Sequence, residues 1–324
     1  MRVLHVNSTL GLKTGGGTAE RTFQLGHQLA VGGVDTTIMT LDLELDEARQ
    51  RAIAPAKVLA LPCFWKRFYL PRVAWKTIRQ AVEQADELSD ALGWPVIAEP
   101  SGNGAGCTTA LSHGPLLLAD AAFAEAHVPD VVVTIGRVGL NRSVLRMIGR
   151  AGLHVAVDSR PEWSDPTRTA DVVVASVPLP PTEAYDDPAW IEAWQRADVL
   201  AAAATETALF AADDSLTGMH VARITATAVP DGGLLFIGAS WPVRHVGSFA
   251  ANTVQEAIIM GNRGTSGIDG CLSTAWGAAG ALQRNGGAGA LALVGDHTFL
   301  YDSNALLAPA DEERPDLVIV VSDN

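Results

Sequence analysis

The 324-residue chain is poor in cysteine, in basic residues and in long apolar runs, and each shortage excludes a class of protein. Its three cysteines, Cys63, Cys107 and Cys271, show no paired spacing, so the sequence predicts neither a disulfide framework nor a zinc site. The net charge of -13 argues against a general binder of nucleic acid or of anionic membranes. No run approaches the roughly 20 apolar residues of a membrane span, and the first residues do not form a secretion leader. We therefore predict a cytoplasmic protein with small-molecule partners.

Two apolar runs near the end of the chain, ALALVG and LVIVVS, are each followed by oxygen-bearing side chains. Asp296 follows the first run, and Asp323 and Asn324 follow the second. Because parallel strands deliver their carboxyl ends to the ligand edge of an open α/β sheet, these side chains should lie close together. Carboxylate and amide oxygens there suit a magnesium ion that also holds a diphosphate. The pattern predicts magnesium bound by Asp296 and by either Asp323 or Asn324.

Two motifs in this region resemble those of thiamine-dependent enzymes. Gly295-Asp296 with Asp323-Asn324 resembles their motif for magnesium and thiamine diphosphate. The preceding segment NRGTSGIDG narrows the resemblance to one family among these enzymes. Over about residues 83–324 the chain resembles the MenD-type synthases of menaquinone biosynthesis, 2-succinyl-5-enolpyruvyl-6-hydroxy-3-cyclohexene-1-carboxylate synthases. The resemblance implies a transferase that decarboxylates 2-oxoglutarate and adds the four-carbon unit to isochorismate. It also implies a homodimer.

The same resemblance assigns roles to single residues. The cofactor-binding residues that it implies are Ile268, Gly295 and Asp296, with Ile268 as the apolar support that bends the cofactor. The substrate-binding residues that it implies are Ser240, Arg244, Arg263 and Arg142. A guanidinium fork suits the carboxylates of isochorismate and of the second substrate. The alternative for each arginine is an ion pair at the surface or at the sheet edge.

The first segment, residues 1–82, carries a different pattern. The run RVLHV predicts a strand, Gly15, Gly16 and Gly17 predict a loop, and Thr18 is a candidate cap for the helix that follows. The glycines either admit an anion at the helix start or only make a tight turn. With the second strand VDTTIMTLD, the segment resembles the acceptor-side domain of a two-domain, GT-B-like glycosyltransferase that uses nucleotide sugars. The donor-binding half of that family has no counterpart in the rest of the sequence.

A change of composition between Gln80 and Asp86 marks the predicted boundary after the first segment. The basic and aromatic stretch before it, residues 62–82, is interpreted as a connector and a surface helix, with a membrane or phosphate contact as the alternative. Beyond it we expect a central domain over residues 83–200 and a truncated domain for thiamine diphosphate and magnesium over residues 201–324. The predicted fold class is α/β, with parallel, Rossmann-like three-layer domains.

Short β-branched runs between helical segments define the expected central sheet. The predicted strands are PVIAEP, VVVTIG, HVAVDS and DVVVAS. The segment from Asp158 to Trp163 follows a strand and is either a nucleotide-binding remnant or a structural feature of the sheet edge. A long helix is expected to carry Trp190 and Trp194 on one face, since they are four residues apart.

Two departures from the synthase family leave the catalytic residue unassigned. Nothing in residues 1–82 resembles the pyrimidine-binding domain that supplies the activating glutamate, and the family's sequence continues beyond Asn324. We therefore expect this chain to be incomplete as an enzyme. The open alternatives are an incomplete synthase, a glycosyltransferase fragment, and a non-catalytic product of gene fusion or truncation.

Overall fold

A computed structural model describes most of the chain. The described residues are 2–6, 12–41, 47–61, 63–65, 70–71, 75–158, 165–178, 188–211, 216–250, 257–263, 267–307 and 312–323. The chain divides into two compact units, residues 1–77 and 78–324. The predicted division into three domains, 1–82, 83–200 and 201–324, stays a prediction. No helix of the described part is long and apolar enough to cross a bilayer.

The first unit contains a three-stranded parallel sheet in the order β1-β2-β3. Its elements are β1 (Arg2–Val6), α1 (Leu12–Val31), β2 (Asp35–Leu41), α2 (Glu47–Ala52) and β3 (Lys57–Leu61). Ile38 and Ile53 are fully buried in its core. The antiparallel pair β4 (Cys63–Trp65) and β5 (Leu70–Pro71) follows.

The predicted glycine-rich loop of this unit is wrong. Helix α1 begins at Leu12, so Gly15, Gly16 and Gly17 lie inside it and Thr18 is not its N-cap. Interior glycines each weaken a helix by roughly 1 kcal/mol relative to alanine, but they do not clash with helical backbone. Composition alone therefore suggested a loop where the backbone continues as a helix.

Helix α3 (Trp75–Leu92) confirms the helix expected within residues 62–82, since it begins at Trp75 and continues beyond that stretch. Lys66, Arg67 and Arg72 of that stretch lie outside the described residues. The helices that follow are α4 (Gly114–Leu117), α5 (Ala121–Ala126) and α6 (Arg142–Ile148). The same part of the chain contains a parallel sheet in the order β6-β7-β8, with β6 (Val131–Ile135), β7 (Leu153–Val157) and β8 (Val172–Val174).

Three of the four strands predicted for this sheet are confirmed, and the fourth is wrong. The run PVIAEP contributes only a single bridge, between Val96 and Ala110. Pro95 and Pro100 bound the run, and proline has no amide to donate to a strand ladder. Of the segment from Asp158 to Trp163, only Asp158 lies within the described residues.

The second sheet of this unit has four parallel strands in the order β10-β9-β11-β12. The strands are β9 (Leu234–Ile237), β10 (Ile258–Met260), β11 (Ala290–Gly295) and β12 (Leu317–Ser322). The helices are α7 (Pro188–Ala211), α8 (Gly218–Thr227), α9 (Trp241–Phe249), α10 (Cys271–Arg284) and α11 (Asp296–Tyr301). The runs predicted as strands before Asp296 and Asp323 are therefore neighbouring parallel strands.

Strand β9 lies at the centre of this sheet, and all four of its side chains are buried. Leu235 and Ile237 pack in one cluster with residues of α8 and α9. Leu234 and Phe236 pack against α10 on the opposite face. The alternation produces three layers, with helices on both faces of a parallel sheet, and confirms the α/β class.

Helix α7 carries the two tryptophans on one face, as predicted. The ring centroids of Trp190 and Trp194 are 5.9 Å apart, and both residues belong to the cluster that also contains Leu111 and Leu118. The pair is thus part of the packing between α7 and the helices before β6.

Candidate functional site

The four strands of the second sheet deliver most of the predicted site residues to one edge. Ser240 follows β9, Arg263 follows β10, Asp296 follows β11 and Asp323 follows β12. From β9 the chain enters α9 on one face of the sheet, whereas α10 and the neighbouring α11 lie on the other. The strand order therefore reverses between β9 and β11, and the crevice at such a reversal is where open α/β sheets bind ligands.

The two predicted carboxylate ligands of magnesium follow paired strand ends. Gly295 of β11 pairs with Ser322 of β12, and Asp296 and Asp323 come directly after them. The Asp296 side chain is 39% exposed, and its Oδ2 atom lies 4.0 Å from His297 Nε2. Asp323 is exposed as well, so both carboxylates are open to a ligand.

This pair of carboxylates is not a complete metal site. Within the described ranges, no group of three histidine, cysteine, aspartate or glutamate residues is placed to hold a metal ion. Asn324, the other predicted ligand, lies outside the described residues. Gly295 has a negative φ and open space where a side chain would project. An oxygen-rich ligand that supplied further metal contacts would find room at this strand end.

Ser240 and Arg244 are held together at the start of α9. Ser240 has φ 69° and ψ −125°, a conformation that glycine adopts more readily than serine. Its carbonyl oxygen accepts a hydrogen bond of 2.6 Å from Nη1 of Arg244. Both residues are exposed, so the guanidinium has a fixed anchor and further N–H groups for a carboxylate.

The segment after β10 carries Arg263 and Ile268 toward α10. Arg263 is half-buried, and its backbone amide donates to the carbonyl of Gly261 at 2.9 Å. The amide group of Asn262 donates to Cys271 Sγ at 3.8 Å and lies 3.4 Å from Thr274 Oγ1, which ties the segment to α10. Ile268 is half-buried just before the helix.

Asp302 binds the start of α10, a contact that the sequence did not indicate. Its carboxylate accepts hydrogen bonds from the backbone amide of Ser273 at 2.7 Å and from the Ser273 hydroxyl at 2.9 Å. Since the two residues are 29 positions apart, no local capping motif in the sequence predicts this contact.

Cys271, the first residue of α10, is a buried thiol whose pKa is raised. Burial is the main cause that raises the pKa of its thiol. The Asn262 amide acts in the opposite direction, while the carboxylates of Asp302 and Asp269 raise it further. A protonated, buried thiol is chemically inert, so Cys271 contributes packing.

Arg142 is not at the edge of the second sheet. It is the exposed first residue of α6, in the part of the unit built around β6-β7-β8. The loop before it does reach α9, because Leu140 packs in the same buried cluster as Val243 and Val246. The structure thus links the Arg142 segment to the helix that bears Arg244.

Glu99 fixes this loop and was missed by sequence reasoning. One carboxylate oxygen, Oε1, accepts hydrogen bonds from the backbone amides of Gly139 at 2.7 Å and Leu140 at 2.5 Å. Glu99 lies within the run PVIAEP that was wrongly predicted as a strand, and no motif in the sequence distinguished it from a surface glutamate.

Comparison with curated proteins finds relatives that carry the enzyme name 2-succinyl-5-enolpyruvyl-6-hydroxy-3-cyclohexene-1-carboxylate synthase. The protein of that name from Thermobifida fusca is 45% identical over 237 residues, which is 73% of this chain and 42% of that protein. Those from Saccharopolyspora erythraea and Nocardioides sp. are 37% and 38% identical, over 74% and 72% of this chain. The chain spans less than half the length of these curated relatives.

A comparison with solved structures finds a similar fold. The X-ray structure of a putative thiamin diphosphate-dependent enzyme from Mycobacterium smegmatis matches with a TM-score of 0.50 at 14% identity. The match covers the whole of this chain and 76% of the solved one. No protein-family model matches the chain. At this identity the structural likeness concerns the fold alone.

Proposed function

We propose that this chain is the central and cofactor-binding part of a thiamine-diphosphate-dependent transferase. The proposed reaction decarboxylates 2-oxoglutarate and adds the four-carbon unit to isochorismate, as in menaquinone biosynthesis. One observation carries the proposal. Gly295 and Ser322 are paired at the carboxyl ends of β11 and β12, so Asp296 and Asp323 lie at the same edge of the sheet. The chain that carries this pair is similar to such synthases.

The residues at this edge fit a diphosphate held through a divalent cation. The two exposed carboxylates are hard oxygen ligands, and Mg²⁺ prefers such ligands together with phosphate oxygens. In this proposal Asp296 holds Mg²⁺ with either Asp323 or Asn324. The free space beside Gly295 admits the phosphate groups. When bound, thiamine diphosphate supplies the electron sink for the decarboxylation.

The arginines of the edge fit the substrate carboxylates. Arg244 is exposed and anchored on the Ser240 carbonyl, so its guanidinium is held in one orientation before a ligand arrives. Arg263 follows the neighbouring strand β10. In the proposed site these two bind isochorismate with help from Ser240, while Ile268 supports the cofactor. Arg142 is assigned to the carboxylate of the second substrate. It does not lie at this edge, but the loop that precedes it packs against α9.

The activity of the complete enzyme requires groups that we do not assign to this chain. No described residue takes the role of the family's activating glutamate, so the catalytic acid stays unassigned. A homodimer and a cytoplasmic location also stay proposals that follow from the family resemblance. The glycosyltransferase-like character of residues 1–82 rests on sequence resemblance alone, and the related synthases named above do not support it.

The proposal is tested by calorimetric titration of thiamine diphosphate into the purified chain, with and without magnesium. We expect saturable binding that requires magnesium and that weakens about tenfold or more in Asp296→Ala, since a magnesium ligand is lost. Asp231→Ala is the matched control, because Asp231 is an exposed carboxylate in the turn before β9, at the opposite edge of the sheet.

The controls make the outcome decisive. Thermal unfolding must first show that each variant is folded. Equal affinity in Asp296→Ala and wild type, or no binding to a folded chain at millimolar cofactor, would show that this edge is not the cofactor site. An equal loss in Asp231→Ala would point to a nonspecific charge effect.

A further inference from the structure

Helix α9 presents an aromatic and basic surface beside the strand edge. Trp241, Arg244 and His245 are spaced i, i+3 and i+4, so they share one side of the helix. The other side, with Pro242, Val243 and Val246, is buried. Trp241 directly follows Ser240 and is 58% exposed. Of the tryptophans whose side chains the structure describes, Trp241 alone is exposed.

The indole of Trp241 is held in one orientation despite its exposure. It stacks on the imidazole of His245 with ring centroids 5.4 Å apart and an interplanar angle of 25°. His245 in turn meets Phe249 edge-on at 6.3 Å. One face of the indole is therefore occupied by protein, and the exposed remainder of the ring is available to a ligand.

His245 is itself confined, which fixes the support beneath the indole. A Cβ atom added to Gly218 would lie 2.8 Å from the imidazole Cε1, so the start of α8 closes over the ring. Burial lowers the pKa of His245, against a backbone hydrogen bond at Gly218 that works to raise it. Burial thus favours the neutral imidazole, and Arg244 carries the positive charge of this surface.

We propose that Trp241 is a specificity-determining residue whose indole packs against the ring of a cyclic carboxylate bound by Arg244. This inference rests on the proposed function, since it specifies how the same edge selects its carboxylate substrate. Arg244 contributes charge and direction through the guanidinium that its Ser240 anchor leaves available. Trp241 contributes a rigid apolar surface one helical turn away, at about 5–6 Å between Cβ atoms. A ligand that uses both carries its carboxylate directly on an unsaturated ring.

Two small probes separate the ring contact from the carboxylate contact. Benzoate carries its carboxylate on an unsaturated ring, whereas propionate carries it on a short chain. Their affinities are measured by calorimetry for wild type, Trp241→Ala and Trp241→Phe. We expect Trp241→Ala to weaken benzoate binding about fivefold and to leave propionate unchanged, because only the ring contact is lost. Trp241→Phe keeps an aromatic face and should restore most of the benzoate affinity.

A matched control is Phe210→Ala, because Phe210 is an aromatic side chain that is 85% exposed and belongs to α7 rather than to α9. This control should leave both affinities unchanged, and thermal unfolding confirms that each variant is folded. The inference is overturned if wild type does not prefer benzoate, or if Trp241→Ala leaves benzoate affinity unchanged. It is also overturned if that variant changes only the oligomeric state in sedimentation, since Trp241 would then face a second copy.

The cofactor titration distinguishes this inference from the proposed function. Loss of ring selectivity in Trp241→Ala with wild-type binding of thiamine diphosphate supports both. Ring selectivity in a chain that binds no thiamine diphosphate keeps the role of Trp241 and removes the proposed function. Binding of thiamine diphosphate without ring selectivity keeps the proposed function and removes the role of Trp241.

Discussion

The side chain of Asn103 pairs with both backbone groups of Ile259, which is 156 residues further along the chain. Asn103 Nδ2 donates to the Ile259 carbonyl at 3.1 Å, and the Ile259 amide donates to Asn103 Oδ1 at 2.8 Å. Ile259 is the middle residue of β10, the edge strand of the site-bearing sheet. The Asn103 carboxamide thus forms the backbone hydrogen bonds that a further strand beside β10 would form.

Asn103→Ala should therefore destabilise the second unit by about 2 kcal/mol, because the amide and the carbonyl of Ile259 lose their partners. Asn103→Asp keeps the acceptor for the Ile259 amide but places a carboxylate oxygen against the Ile259 carbonyl, so a loss at least as large is expected. Urea unfolding measures both, with Asn304→Ala as a control on an exposed asparagine side chain. Equal stability of Asn103→Ala and the control would show that solvent replaces the pair without loss.

Ser240→Gly should be more stable than Ser240→Ala by about 1 kcal/mol, because only glycine adopts φ 69° and ψ −125° without strain. Both substitutions remove the hydroxyl, so their difference reports the backbone alone. Thermal unfolding measures the difference, and calorimetry measures the effect of the lost hydroxyl on carboxylate binding. A glycine variant less stable than the alanine variant would contradict strain at this position.

Asp165 should make stability depend on pH below about pH 4. Burial works to raise the pKa of its carboxyl, but hydrogen bonds from the Thr167 hydroxyl and from the amides of Ala170, Thr169 and Thr167 lower it to about 2. The folded-state pKa lies below the unfolded value of about 3.9, so this carboxylate stabilises the fold above that pH. Its contribution is lost as the pH falls toward 2.

The measurement for Asp165 is the urea midpoint between about pH 5 and pH 2.5. Asp165→Asn lacks the titrating group, so its midpoint should fall less steeply over this window than that of wild type. Asp231→Asn, on an exposed turn, is the control and should keep the wild-type slope. An unchanged slope in Asp165→Asn would assign the acid sensitivity to other carboxylates.

Asp302→Ala should destabilise the protein by about 1 kcal/mol, the typical effect of removing a helix cap. The reason is that Ser273 loses the acceptor for both its amide and its hydroxyl. Asp302→Asn keeps an oxygen acceptor and should retain part of the stability. Urea unfolding tests the pair, and stability unchanged in both variants would mean that water caps α10 equally well.

Much of this fold follows from local sequence patterns. The strands β6, β7 and β8 were predicted from short β-branched runs between helical segments, and β11 and β12 from apolar runs. The strand expected at PVIAEP failed because proline at each end withholds a backbone donor. The loop expected at Gly15 to Gly17 failed because a helix can include glycines that composition alone assigns to a turn.

The candidate site also contains residues that the sequence predicts and residues that it does not. Asp296 and Asp323 could be placed because each follows an apolar run predicted as a strand, and parallel strands end at one edge. Glu99, Asn103 and Asp302 could not, because their partners are distant in sequence and an isolated polar residue looks the same whether it caps, pairs or faces water. Resemblance suggested what the edge binds, while these long-range hydrogen bonds show how the edge is supported.

The Glu99 hydrogen bonds have an evolutionary consequence. A single oxygen atom holds the amides of Gly139 and Leu140, and Leu140 lies against α9. The length of the side chain at position 99 therefore affects where Leu140 packs against the helix that carries Arg244. Among homologous chains we expect these positions to covary, with a shortened side chain at 99 accompanied by a compensating change in the volume of residue 140 or of its neighbours on α9.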